Sequence, residues 1–298
     1  MPRSQPVDGF SLAYDRSGTG PAVVLLHGWP GNRTDFRLVA PLLHDVADVV
    51  VPDLRGFGES DRHAVDPDEG YAGSAQARSV TGLLDELGLG PVVLAGYDIG
   101  SRIAQTVAQV SPDRVRALVI APPAPGTGRR ALEPAAQAEF WYQHFHRLPL
   151  ARELIDGSPD AVRSHLRHFW THWSGPSFVP SEDDLERLTA AYAQPGAFTA
   201  SIGWYRAGPG ILARSLAERP PEPVDRLGVP VHVLWPGHDP LFPPEWGDRL
   251  EEFFADVTVT PLPDAGHFVP LEEPEAFAAA VRAALDGDRA GQGLSGPA

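Results

Sequence analysis

The sequence predicts an α/β fold, a mostly parallel sheet flanked by helices and interrupted by a helical insertion. Three observations carry this expectation. Short β-branched or apolar runs recur at both ends of the chain, as buried parallel strands require. Helical periods lie between them, and strands alternating with helices imply a sheet covered on both faces. The alternation then fails in the middle, between two proline-rich joints, APPAPG and RPPEP.

The expected strands are residues 23–26, 49–51, 92–94, 118–120, 231–234 and 257–259, and the expected helices are 74–87, 101–110, 246–254 and 274–285. Residues 126–216 hold helix-formers and a crowd of aromatics, among them Phe140, Trp141, Tyr142, Trp170, Trp173 and Tyr205. We read that stretch as a helical insertion, or cap, lying over the active edge of the sheet. Residues 1–125 and 217–285 then form the two parts of one core domain. The polar, glycine-rich tail, 286–298, is expected to be disordered.

Composition excludes several kinds of chemistry. The chain has 298 residues, and folding at that size buries roughly 75% of the surface of the unfolded chain, enough for a full core without staples. With no cysteine, there is no disulfide scaffold, thiolate-bound zinc, iron–sulfur cluster or thiol nucleophile. All 24 basic residues are arginine, which bars a Schiff-base lysine and a Walker-type loop. A formal charge of −15 argues against nucleic acid and anionic membranes as partners. The first ten residues lack the apolar run of a signal peptide, and no window of about 18 residues is apolar throughout, so a cytoplasmic protein is expected.

The most informative stretch is VVLAGYDIGSRIAQ. A strand ends near Ala95 and a helix begins near Gly100, and Gly96-Tyr97-Asp98-Ile99-Gly100 between them has the spacing of a nucleophile elbow. Glycines flanking such a turn let the helix pack close to the strand, and the helix amino terminus favours negative charge on the residue at the apex. That residue is Asp98. A carboxylate is a poor acyl-transfer nucleophile but attacks a saturated carbon that carries a strained or good leaving group. The product is an ester of the enzyme, which water then cleaves.

An ester intermediate needs a base, an orienting acid and an oxyanion site. His267, in PDAGHFVP after the last strand, is the expected base, and His27, His144, His146 and His238 are read as structural. Asp239, in WPGHDPLFP after the penultimate strand, is the expected orienting acid, since no acid follows APP before Glu133. The backbone amides of Ile99 and of Trp29, in HGWPG, are the expected oxyanion donors. Trp29, Ile99, Trp141 and Phe268 are expected to line the substrate pocket. No metal and no organic cofactor is expected.

These motifs resemble the α/β-hydrolase superfamily across nearly the whole chain. HGWPG is similar to the HGxP motif of epoxide hydrolases, DLRGFGESD to a loop of the superfamily that we read as structural, and AGYDIG, GHDPLFP and AGHFVP to the nucleophile, acid and histidine positions. An aspartate nucleophile marks the branch that holds epoxide hydrolases, haloalkane dehalogenases and fluoroacetate dehalogenases. The resemblance to epoxide hydrolases implies two tyrosine acids from the cap, Tyr142 in FWYQHFH and Tyr205 in GWYRA. Haloalkane dehalogenases typically carry Trp after the nucleophile, where this chain has Ile99. Fluoroacetate dehalogenases carry arginine there and three residues later; only the second is present, as Arg102, which we read as a structural ion-pair partner. The implied reaction is hydrolysis of an epoxide, apolar or aromatic, to a vicinal diol. Dehalogenation, a noncatalytic binding protein, or biosynthetic epoxide opening by an internal nucleophile are the alternatives. Oligomeric state, monomer or homodimer, is left open.

Overall fold

A computed structural model describes residues 1–292. Seven strands form one sheet: β1 (Tyr14–Gly18), β2 (Ala22–Leu26), β3 (Asp48–Pro52), β4 (Val92–Gly96), β5 (Val115–Ile120), β6 (Val231–Pro236) and β7 (Val257–Leu262). Their order is β1-β3-β2-β4-β5-β6-β7, with β1 antiparallel to β3 and every other pairing parallel. All six apolar runs are strands. The missed element is β1, YDRSG, an edge strand whose middle is exposed and which offers no apolar run to read. Pairing with β3 and an Arg16–Asp48 ion pair at 2.6 Å hold it in place.

Helices cover the sheet as the periodicity implies. The helix Gly73–Glu86 buries Val80, Leu83 and Leu84, an i, i+3, i+4 stripe, and Pro274–Gln292 buries Phe277, Val281 and Leu285. Two local expectations need correction. Of the expected helix 246–254, residues 246–252 belong to 3₁₀ turns, Pro244–Glu252, instead of an α-helix, and the last two lie beyond them; consecutive prolines open the segment and Gly247 weakens it. The last helix also runs to Gln292 instead of stopping before 286. Extending a nucleated helix fixes one residue per hydrogen bond, so its polar end continues where an isolated segment of that composition would not fold. Residues 293–298 of the expected disordered tail lie outside the described residues. Among the described residues, no helix is long and apolar enough to cross a membrane.

Between β5 and β6 the chain forms helices from Pro134–Glu139 to Ile211–Ala217, and no strand among the described residues. Phe140, Phe169, Trp170, Trp173 and Tyr192 are buried, and they pack the insertion onto the sheet domain: Trp170 and Trp173 against Phe268, Phe140 against Phe242, Tyr192 against Phe57 and Phe169 against Trp29. Loops at the carboxyl ends of β2, β4, β6 and β7 face this insertion, on the side of the sheet where open α/β folds bind ligands.

The tightest approach to backbone in this frame is at Gly100, where a Cβ would collide with the Leu26 carbonyl at the end of β2. That carbonyl belongs to the sheet and cannot retreat. Gly100→Ala should therefore destabilise the protein by at least about 2 kcal/mol, the scale of overpacking a core. A fall of roughly 4 °C or more in melting temperature checks it; an unchanged melt would contradict the packing described.

Candidate active site

Four loops converge above the carboxyl ends of the strands. The turn after β4 places Asp98 at φ 50°, ψ −126°, a conformation that non-glycine residues rarely adopt and that costs about 1–3 kcal/mol. The surroundings hold it there. The Asp98 amide donates to the Pro122 carbonyl at 3.0 Å, and a Cβ on Gly28 would come within 2.6 Å of the Asp98 Cβ. Asp98 Oδ1 accepts a 2.8 Å hydrogen bond from the Trp29 amide, and Ile99 begins the helix Ile99–Val110.

His267 and Asp239 meet this carboxylate from the other side. The His267 Nδ1–H donates to Asp239 Oδ2 at 2.9 Å, and Asp239 Oδ1 accepts from the Leu241 amide at 2.9 Å. This fixes the imidazole so that Nε2 faces Asp98 Oδ2 at 3.6 Å, too long for a hydrogen bond. Nε2 is buried and has no partner. Burial alone would lower the imidazole pKa, but Asp239 and Asp98 outweigh it and push it up to about 10.

The supporting loops are pinned by groups with no place in the chemistry. Glu272 accepts from the amides of Gly175, Gly266 and Phe268 at 2.8, 2.7 and 2.9 Å, tying the His267 loop to the insertion. Sequence reasoning missed this, since one glutamate near a helix start carries no distinctive signal. His27 Nδ1–H donates to the Gly28 carbonyl at 2.9 Å while Nε2 accepts from the Leu54 amide at 3.0 Å, so burial keeps it neutral and structural. In the DLRGFGESD loop, Asp53 Oδ1 accepts from the Arg33 amide at 2.8 Å and buried Arg55 Nε donates to Ser79 Oγ at 2.6 Å, both structural roles.

Asp98, Ile99, Tyr142 and Tyr205 line one cavity of about 290 Å³. The two phenol rings meet edge to face, 5.5 Å between centroids, and Tyr142 stacks on Trp29 at 5.7 Å. Tyr142 Oη accepts from Gln143 Nε2 at 3.1 Å, whereas Tyr205 Oη is buried without a well-aligned partner. Burial, reinforced by Asp98 for Tyr142 and by Tyr142 and Asp98 for Tyr205, raises both phenols well above their ordinary value. Both stay protonated donors across the physiological range.

The other expected pocket residues are placed differently. Trp29 lies behind Tyr142 and contributes its amide, not its ring, to the site. Phe268 is buried against His267, with ring centroids 5.3 Å apart, and does not line the cavity. Trp141 is 41% exposed and stacks on Phe169 at 5.9 Å, facing away from the cavity because its neighbour Tyr142 takes the inward position of that helix. Arg102 is no structural ion-pair partner: it donates to the Ala124 carbonyl at 3.2 Å, has no carboxylate within ion-pair distance among the described residues, and lines the cavity. With Gln105 and Gln109 it continues the helix face that starts at Asp98, at i+4, i+7 and i+11. That spacing was visible in the sequence. Thr127, Ser215, Glu218 and Arg214 add further polar lining beside the apolar side chains of Ile99, Trp204 and Phe242. Among the described residues, no cluster of His, Asp and Glu is placed to hold a metal ion.

Comparison with known proteins identifies the fold. The family model described as alpha/beta hydrolase fold matches residues 21–274. A soluble epoxide hydrolase from Corynebacterium sp. (strain C12) is 30% identical over 277 residues, covering 90% of this chain and 91% of that protein. A fluoroacetate dehalogenase from Burkholderia sp. is 31% identical over 195 residues, 64% of each chain. A solved structure described among novel epoxide hydrolases from metagenomes of hot environments superposes with a TM-score of 0.81 at 27% identity, covering 96% of this chain and 98% of that one.

The geometry makes the His267 imidazole a reporter of charge on Asp98. In Asp98→Asn one of the two carboxylates that raise its pKa is gone, so the imidazole should titrate at least about one unit lower, the scale of a neighbouring charge in a buried site. Histidine NMR titration of the two proteins measures this, and an unmoved resonance would contradict the 3.6 Å approach.

Proposed function

This chain belongs to the α/β-hydrolase family, and on that premise we propose that it hydrolyses epoxides to vicinal diols through a covalent ester on Asp98. The observation that carries this reading is the cavity itself, where the elbow carboxylate and two buried, protonated phenols share one space. An epoxide oxygen leaves as an alkoxide and needs an acidic hydrogen; halide departure and simple binding call for no such pair.

In the first step Asp98 Oδ2 attacks one epoxide carbon, the carbon–oxygen bond breaks, and its electron pair goes to the oxygen. Tyr142 and Tyr205 hydrogen-bond that oxygen, and one of them gives it a proton. Asp98 Oδ1, already held by the Trp29 amide, becomes the carbonyl oxygen of the ester. Esterification cancels the charge on Asp98, so the proton affinity of His267 falls when a base is needed, and the proton it held passes through solvent to the tyrosinate left by the first step. Neutral His267 then takes a proton from water, and hydroxide adds to the ester carbon. The amides of Trp29 and Ile99 hold the resulting oxyanion. Collapse expels the diol oxygen, which takes the proton from His267; the carboxyl proton left on Asp98 then passes to His267 and restores the starting pair, and Asp239 keeps the imidazole oriented throughout.

Dehalogenation has one observation in its favour, the buried Trp29 Nε1, which has no hydrogen-bond partner and would serve a halide only from within the cavity. It is not among the cavity-lining groups, and Ile99 supplies no side-chain donor, so the epoxide reading is preferred.

Asp98→Asn should reduce kcat by at least about 10³-fold, as expected for loss of a covalent nucleophile. His267→Gln should accumulate a substrate-sized adduct on Asp98, seen by mass spectrometry; normal turnover by that variant would remove His267 from the mechanism. Tyr205→Phe and Tyr142→Phe should each lower kcat about 10-fold and together about 10²-fold or more, the range of general acid catalysis. Retention of full activity by the double variant, measured as diol formation, would contradict the role of the phenols.

A further inference from the structure

Three buried polar side chains lie behind the cavity, outside the proposed chemistry. Asp35, in the 3₁₀ turn Arg33–Phe36, forms no ion pair among the described residues and accepts a hydrogen bond from the Tyr97 hydroxyl at 2.6 Å. Tyr97 is the residue before Asp98. Tyr192 ends the helix Glu182–Tyr192 of the insertion. None of the three lines the cavity.

What they share is Gly31, two residues after Trp29. The Gly31 amide donates to Tyr192 Oη at 3.0 Å, and the Tyr192 hydroxyl donates back to the Gly31 carbonyl at 2.9 Å. Gly31 also rests on the Tyr97–Asp35 hydrogen bond, since a Cβ there would collide with Asp35 Oδ2 and come within 2.9 Å of Tyr97 Oη. Trp170 Nε1–H adds a hydrogen bond to the Pro30 carbonyl at 3.3 Å. The insertion thus grips Pro30 and Gly31, and the Tyr97–Asp35 pair ties the same segment to the elbow. At the head of that segment the Trp29 amide donates to Asp98 Oδ1 at 2.8 Å.

Packing alone gives little reason for Asp35. Burying a carboxylate with so few donors is unfavourable. Burial, partly offset by the Tyr97 hydrogen bond, pushes its pKa up to about 7. An apolar side chain would fill the space without that penalty. An oxyanion donor, by contrast, works only when placed on the developing charge, and a shift of about 1 Å can slow a reaction by about 10²-fold.

We propose that Tyr192, and Asp35 acting through Tyr97, are positioning residues of the oxyanion site: they fix Gly31, hold the Trp29 amide against Asp98, and so control hydrolysis of the ester. The inference rests on the proposed covalent route and names what sets its second step. Ester formation leans on this amide less, because attack removes charge from Asp98. Hydrolysis instead builds a full charge on the oxygen that the amide holds. Through Tyr192 the insertion serves the oxyanion site from outside the cavity.

The test follows both steps separately, with styrene oxide under single-turnover conditions, by rapid quench and intact-protein mass. Tyr192→Phe and Tyr97→Phe each remove a hydroxyl and keep the ring. In both, ester hydrolysis should slow at least about 10-fold while ester formation stays within about 3-fold, the pattern of a displaced oxyanion donor. Asp35→Asn keeps an acceptor for the Tyr97 hydroxyl and should hydrolyse nearly as fast as the wild type, whereas Asp35→Ala should follow Tyr97→Phe. Unchanged hydrolysis in both phenylalanine variants, or the two steps slowed in equal proportion, overturns the inference and leaves epoxide opening standing. A second arm needs no turnover: amide hydrogen exchange of residues 27–31 should quicken at least about 10-fold in Tyr192→Phe, with the sheet unaffected, as local loosening requires. Exchange unchanged in that segment overturns the inference. A wild-type protein that forms no ester with styrene oxide or other epoxides counts against the reaction proposal instead, and the exchange result still decides whether Tyr192 fixes this loop.

Discussion

No methyl group fits where the helix Ile99–Val110 crosses the end of β2, and the position of Asp98 follows from that contact. With Gly100 against the Leu26 carbonyl and Gly28 against the Asp98 Cβ, the chain has one way to turn from strand to helix. That turn holds Asp98 at positive φ and raises its carboxylate above the sheet. The Trp29 amide reaches Oδ1 only because the β2 and β4 turns are pressed together. The strain at Asp98 is small beside the sheet and helix packing that maintains it.

Electrostatics around that carboxylate divide the site into two regions. In the inner one, Asp98 and Asp239 flank His267 and hold its pKa high, so the imidazole responds directly to whether Asp98 is charged or esterified. Above it, two phenols kept protonated by burial present hydrogens without presenting charge. In the outer region, Arg102 and Arg214 share the lining with the Glu218 carboxylate.

Much of the frame was legible because parallel strands buried on both faces write themselves as apolar runs. β2, β4 and β5 are of this kind. The edge strand β1 was not legible, since an exposed edge needs no apolar residues and its pairing with β3 is made by backbone. The elbow motif led to Asp98, and loop position after β6 and β7 led to Asp239 and His267; the structure brings all three together. Neighbour identity proved a weaker guide in the insertion. Trp141 and Tyr142 are adjacent, and helix geometry sends one outward and the other into the cavity, which aromatic content alone does not decide. Arg102 was assigned to packing because its partner was assumed; the polar face shared by Asp98, Arg102, Gln105 and Gln109 was the better signal. Arg214 had none, because its approach to Arg102 depends on how the insertion folds back.

Oxygen labelling tests the covalent route most directly. In a single turnover of excess enzyme on an epoxide in oxygen-18 water, attack by Asp98 predicts heavy oxygen in the Asp98 carboxylate and a diol free of label. Heavy oxygen in the diol, with Asp98 unlabelled, would mean that water opens the ring directly, and the account would be wrong.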